Sequence, residues 1–155
     1  MKIGIIVFSK TGNTYSVANK LMEKLLQKGH SVKVEKLEPK GEVHPGIKNV
    51  ELKNTPDIKG YDIVILASPV WAFSLSPVLK TYMNMLPSLE NKKVICFVTM
   101  AFPFKWMGGN NAITQMKNIC MSKGTTPITT NIINWSKKRD EQIYKFINNT
   151  IQILE

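Results

Sequence analysis

Arginine is almost missing from this chain: Arg139 stands alone against 20 lysines. Nucleic-acid readers usually lean on its guanidinium for bidentate contacts to guanine and phosphate, so this scarcity argues against a nucleic-acid reader. Cysteine is also scarce. Cys96 and Cys120 lie in apolar surroundings with no CxxC spacing and no adjacent histidine. That excludes a disulfide-built or zinc-built module and leaves two reduced, buried thiols. No apolar run reaches the roughly 18 residues of a membrane span, and the stretch between Lys2 and Ser9 is too short for a signal-peptide core. The expectation is a cytoplasmic protein without a membrane span. Two nucleotide-binding signatures are lacking as well. GxxxxGK[ST] does not occur, and Gly4 and Gly12 are too far apart for the GxGxxG turn.

What is present suffices for one domain over residues 1–155: hydrophobic residues make up 43% and aromatics 8%, enough to bury a core. The net charge is +10 and the pI about 9.6. Basic excess is spread along the chain: 11 against 6 acidic in residues 1–60, 4 against 2 in 61–110, and 6 against 3 in 111–155. Such a distribution reads as solvated lysines rather than a polyanion site.

Strands and helices alternate. Ile3–Phe8 is a continuous apolar run, as in a strand buried on both faces. Val17, Ala18, Leu21, Met22, Leu25 and Leu26 then recur at helical spacing through 14–28, with Gly29 as the stop. Ser31–Leu37 reads as a second strand, and the polar, proline-bearing stretch 39–60 as a long connection. Asp62–Ala67 is a third strand ending at Ser68-Pro69. Ser76-Pro77 has the pairing that opens a helix, with Val78, Leu79, Tyr82, Met83 and Leu86 inward. Lys93–Met100 is a fourth strand, 111–123 a helix, and Pro127–Trp135 a more polar edge strand. Ser136 opens a last helix through Ile143, Phe146, Ile147, Ile151 and Leu154. The alternation implies βαβ units and a doubly wound α/β fold with five parallel strands.

In such a sheet, ligands bind beyond the carboxyl ends of the strands. Three of those ends are distinctive. Ser9-Lys10-Thr11-Gly12-Asn13-Thr14 offers hydroxyls, a glycine and N–H groups at a helix N-terminus, a receptor for a phosphate; a Ser/Thr-rich cap without ligand has the same composition. Ser68-Pro69-Val70-Trp71-Ala72-Phe73-Ser74 puts aromatics where they can stack on a planar ring or simply cover the sheet end. The stretch from Thr99 to Gly109 gathers Phe102, Phe104 and Trp106 with a Gly-Gly pair, suited to the wall of a ring pocket.

Three motifs in register carry a resemblance. FSKTGNT resembles the flavodoxin signature after the first strand, and SPVWAFSLSP and TMAFPFKWMGG resemble the two flavin-ring loops of that family. The likeness extends over nearly the whole chain and implies strand order 2-1-3-4-5 with non-covalently bound FMN. By position, Ser9, Lys10, Thr11, Gly12, Asn13 and Thr14 would hold the phosphate, Lys10 through its backbone N–H. Pro69, Val70, Trp71, Ala72 and Phe73 would border the ring, Trp71 stacking on it. Thr99, Met100, Ala101 and Phe102, with Trp106, Gly108 and Gly109, would close the other side. His30, a helix C-terminal cap by position, and His44 lie outside these loops.

Two departures separate the chain from the family's electron shuttles. Those are typically acidic, so a basic chain implies an acidic protein partner or weak docking. No glycine lies between Ser68 and Pro77. A peptide flip there, which in shuttles stabilises one-electron-reduced flavin, meets the steric cost of φ > 0. The resemblance implies electron transfer through FMN to a redox partner protein, while the two departures favour two-electron chemistry. The alternative is a quinone or flavin reductase that takes hydride from NAD(P)H and passes it to a small acceptor such as a quinone. A third reading is a flavin-free interaction module. Exposed aromatics in the third loop would fit a homodimer that completes the pocket.

Overall fold

The computed structural model describes residues 1–155. Its elements run β1 (Lys2–Val7), α1 (Asn13–Gln27), β2 (Ser31–Lys36), β3 (Ile63–Trp71), β4 (Ser74–Leu75), α2 (Pro77–Met85), β5 (Lys93–Met100), α3 (Gly109–Ser122), β6 (Thr129–Asn134) and α4 (Arg139–Ile153). The parallel strands lie in the order β2-β1-β3-β5-β6. This is the expected 2-1-3-4-5 arrangement with one addition, β4, which pairs antiparallel with the end of β3. The progression of strand order reverses between β1 and β3, the switch point.

β1, β3 and β5 read as unbroken apolar runs because both sheet faces are covered. Ile3, Ile5, Val7, Ile63, Ile65, Ala67, Ile95 and Phe97 pack against α1 and α4. Ile6, Val64, Leu66, Val94, Cys96 and Val98 pack against α2 and α3 on the other face. Each helix buries the stripe its spacing predicts, except that Leu26 is exposed. The 39–60 connection forms no helix. Val43 and Ile58 instead reach the α2/α3 core, and Asn54 pins the segment to the Glu38 N–H and the Lys36 carbonyl, at 2.8 and 2.7 Å.

β6 spans Thr129–Asn134 rather than Pro127–Trp135, and three further boundaries differ from expectation, each for a local reason. β3 does not stop at Ala67; it continues through Ser68 and Pro69, which pair with Val98 and Thr99. A proline is tolerated there because β1 already ends opposite Ala67, so one side of Pro69 has no strand to receive an N–H. α3 begins two positions early, at Gly109. α4 begins late, at Arg139: the Asn134 carboxamide oxygen accepts from Ser136 N, Ser136 Oγ and Lys137 N and holds those residues in a turn. The last strand pairs with β5 alone, so it is an edge strand as expected. His30 caps α1 through its backbone N–H, which donates to the Leu25 carbonyl at 3.2 Å.

Gly4 in β1 faces the ring of Tyr61; a β-carbon there would stand 2.4 Å from ring atoms. Tyr61 in turn donates to Glu35 at 2.7 Å, and burial with that carboxylate pushes its hydroxyl up to about 12. Cys96 and Cys120 are both buried and free. Hydrogen bonding to Cys120, together with burial, raises the Cys96 thiol well above its ordinary value.

Two outcomes follow from this packing. Gly4→Ala must push Tyr61 off the sheet and should destabilise the fold by about 1–3 kcal/mol in urea unfolding. Both thiols should stay unreactive to a disulfide reagent at pH 8 in the native protein and react together once it unfolds.

Candidate functional site

The carboxyl ends of β1, β3 and β5 come together around a cleft of about 230 Å³. Ser9, Lys10, Thr11, Asn13 and Thr14 form one side, Pro69, Val70 and Trp71 a second, and Thr99, Met100 and Ala101 a third. Three segments far apart in sequence thus share one cavity. The reason is register: Val7 stands opposite Ala67, and Pro69 opposite Thr99.

The first side is a cluster of backbone donors. Gly12, at φ 96°, turns the chain into α1, and no side chain caps that helix. Gly12 N donates to Ser9 Oγ at 3.2 Å, and the first internal helical bond is Ser16 N to the Gly12 carbonyl. The N–H groups of Lys10, Thr11, Asn13, Thr14 and Tyr15 have no acceptor within the chain. The first turn of α1 carries no acidic residue. Free donors at the positive end of a helix dipole fit a phosphate group. The Thr14 hydroxyl is not among them: it is buried and bonded to Thr99 Oγ1 at 2.8 Å, tying the first loop to the third across the sheet end. The Lys10 side chain turns away to donate to the Val43 carbonyl at 2.7 Å, passing 5.8 Å from the Trp71 ring centre.

Trp71 reaches the cleft with its ring set edge-on against Phe8, centroids 5.2 Å apart. Beyond it the chain reverses in two residues. Ala72 and Phe73 both take positive φ, 48° and 60°, the geometry of a tight hairpin turn that asparagine and glycine usually supply. The strain persists because the tip is held from several sides. Asn111 Nδ2 donates to the Phe73 carbonyl at 3.0 Å, Gln115 Nε2 to Ser74 Oγ at 2.7 Å, and the Phe73 ring stacks on Phe102 at 5.3 Å. Gly108, at φ 114°, lets the backbones approach: a β-carbon there would lie 2.5 Å from Phe73 Cα. The absence of glycine between Ser68 and Pro77 therefore does not keep φ negative, since the left-handed conformation is already occupied.

The remaining expected residues stand outside the cleft wall. Gly12 caps α1, while Ala72 lines a separate groove beside α2. Phe73 and Phe102 form the exposed hairpin stack. Trp106 stacks on Phe104 at 6.1 Å with 74% of its surface exposed. Gly108 and Gly109 are buried spacers, Gly109 because a β-carbon would meet Met100 Sδ at 2.8 Å. Two residues were not anticipated from the sequence. Trp135 lines the cleft from the end of β6, with the Arg139 guanidinium 5.0 Å over its ring. Asn134 donates to the Phe102 carbonyl at 2.7 Å and so anchors the third loop. The signal for Trp135 was available: an aromatic at the carboxyl end of a strand, as at Trp71.

A family model described as NADPH-dependent FMN reductase matches residues 1–140. Among solved structures, the oxidised flavodoxin 2 of Bacillus cereus is 21% identical, with TM-score 0.73, over 97% of this chain and 96% of that one. A two-electron reduced flavodoxin from Megasphaera elsdenii is 20% identical, with TM-score 0.70, over 94% and 95%. A flavoprotein from Lactobacillus acidophilus, solved in complex with FMN, is 18% identical, with TM-score 0.63, over 93% and 97%. At these identities the likeness is one of fold. No curated protein matches the sequence. No helix is long and apolar enough to cross a membrane.

Because Gly108 sets the spacing between hairpin and third loop, Gly108→Ala should destabilise the protein by about 2–4 kcal/mol in chemical denaturation. Ala72→Gly relieves a strained position and should be neutral or stabilising by up to about 1 kcal/mol.

Proposed function

This chain belongs to the NADPH-dependent FMN reductase family, and from that premise we propose that it holds FMN non-covalently in the three-loop cleft and carries electrons to a partner protein. The observation that supports this reading is the cluster of unpartnered N–H groups at the α1 N-terminus, opening into a cleft that Trp71 borders. Ser9, Lys10, Thr11, Gly12, Asn13 and Thr14 receive the phosphate, mainly through backbone donors with the Ser9 and Thr11 hydroxyls beside them. Thr14 contributes its N–H, while its hydroxyl is bonded to Thr99 Oγ1. Pro69, Val70 and Trp71 on one side and Thr99, Met100 and Ala101 on the other enclose a flat ring. Bound FMN supplies the one- and two-electron chemistry.

The protein's own part is positioning. Trp71 packs edge-on against Phe8, and Asn111, Gln115 and Phe102 hold the hairpin behind it. A held wall of this kind fixes a ring without a rearrangement on each redox cycle. Phe73 and Phe102 are about half exposed at the rim, where they would meet an incoming partner. A second reading is a reductase that takes hydride from NAD(P)H, favoured by the description of the matching family model. It needs no acid or base side chain, since stacking the donor on the flavin is chiefly a matter of orientation.

The decisive measurement is titration of the purified protein with FMN and with riboflavin. FMN should bind at least about 100-fold more tightly than riboflavin, because only FMN engages the charge-assisted bonds at α1. Trp71→Ala should weaken FMN by about 10- to 100-fold. A protein that gains no flavin absorbance sinks the reading. Anaerobic reduction of the loaded protein separates the two roles: a carrier takes up one electron with an EPR signal and scarcely oxidises NAD(P)H in the presence of a quinone, whereas a reductase turns over.

A further inference from the structure

A second, larger groove lies along the outer edge of β6, between α3 and the start of α4, with a volume of about 750 Å³. Five lysines line it, Lys105, Lys117, Lys137, Lys138 and Lys145, and no aspartate or glutamate does. Only Lys145 has a carboxylate partner, Glu141 at 3.4 Å, in an exposed pair that holds the cation weakly. Nearby, Asp140 pairs with Arg139 at 3.5 Å. The groove belongs to a wider asymmetry. From Asn91 to Arg139 the chain carries eight basic residues and no acidic one. The asymmetry is masked across residues 111–155, because Asp140, Glu141 and Glu155 lie there with four of the five groove lysines.

The floor of the groove is a strand edge. β6, TTNIIN, has no charged residue and pairs with β5 alone. Its outer side therefore presents alternate N–H and C=O groups, apart from the Asn134 N–H, which Gln142 Oε1 accepts at 2.8 Å. The opposite edge strand, β2, carries Lys33, Glu35 and Lys36 within itself, the usual protection against stray pairing. Around β6 the cations sit on the rim instead, and they are of one sign.

We propose that this groove docks an extended acidic segment of a partner protein, which adds as a further strand on β6 and sets its carboxylates against the lysines of α3 and of the turn before α4. Backbone pairing supplies a general floor, and charge selects which strand settles on it. A polypeptide fits better than a nucleic acid because the floor is backbone, and Arg139, the one arginine, is already stacked on Trp135. Pro103 and Lys105 line the groove, next to the exposed Phe104–Trp106 stack, an aromatic anchor of the kind interfaces use. Asn134 ties β6 to the third loop, so a segment seated here brings its protein to the rim of the three-loop cleft. That the partner exchanges electrons rests on the proposed function; the docking does not.

The test is binding of a labelled synthetic peptide alternating glutamate with valine, set against a duplex oligonucleotide and a lysine–valine control peptide. The acidic peptide should bind at low ionic strength, weaken about tenfold or more as salt approaches the physiological range, and protect β6 amides from hydrogen exchange. The double substitution Lys117→Glu and Lys137→Glu, one on each wall, should weaken it by about tenfold or more while leaving the unfolding midpoint and FMN titration unchanged. The proposal is overturned by no peptide binding, by binding indifferent to the double substitution, by binding without protection of β6, or by an oligonucleotide that binds more tightly and displaces the peptide. FMN titration of the same samples reads the cofactor separately, so either result can fail alone.

Discussion

The site depends on the parallel pairing of β3 with both β1 and β5. That register sets Ala67 against Val7 and Pro69 against Thr99, bringing three chain reversals to one end of the sheet at matched height. A slip of one residue would turn every buried side chain of β3 to the opposite face. It would also part Thr14 from Thr99, whose hydroxyls meet at 2.8 Å. Burial on both faces of β1, β3 and β5 makes such a slip costly. The apolar packing thus works at a distance from the chemistry: it fixes where the cleft walls stand.

On that frame sits a small region of stored strain. Ala72 and Phe73 hold positive φ without glycine or asparagine, at a cost of order 1–2 kcal/mol each. Asn111, Gln115, Phe102 and the bare backbone of Gly108 offset it from outside the turn. The expense lies in the resting protein, so the hairpin is set before any ligand arrives. Gln115 shows the tightness of the arrangement: its amide nitrogen bonds Ser74, while its oxygen is buried with no partner.

Much of this was legible in the sequence, and what was missed has physical causes. Apolar runs bounded by helical periods disclosed the five parallel strands, because burial on two faces leaves an unmistakable pattern; their order was implied by the resemblance of the three loop motifs. The three loops could be located from their strand ends alone. The continuation of β3 through Ser68-Pro69 was not legible, since a proline breaks a strand only where its missing N–H would have had a partner. The Ala72–Phe73 turn was not legible either, because its conformation is imposed by α3 and the third loop rather than by its own residues. The Thr14 hydroxyl looks like a ligand donor in the motif; only the fold reveals that it is buried and bonded to Thr99 Oγ1.

The charge carries the remaining step. As a whole-chain figure, +10 resembles a diffuse coat of lysines, and a bound phosphomonoester would offset only about two charges. Position changes its meaning. The carboxylates lie before Asn91 or after Arg139, while β5, the third loop, α3 and β6 form a continuous acid-free stretch. A field of one sign over the surface beside a cleft acts on how partners approach more than on how tightly they hold. Solvent screens each exposed lysine within about 8–10 Å at ordinary ionic strength, so five cations around one strand edge act as a local rim rather than a long-range beacon. On the proposed docking, selection is therefore short-range, through which chain can lie along β6, and the acid-free stretch would set the orientation in which that chain arrives.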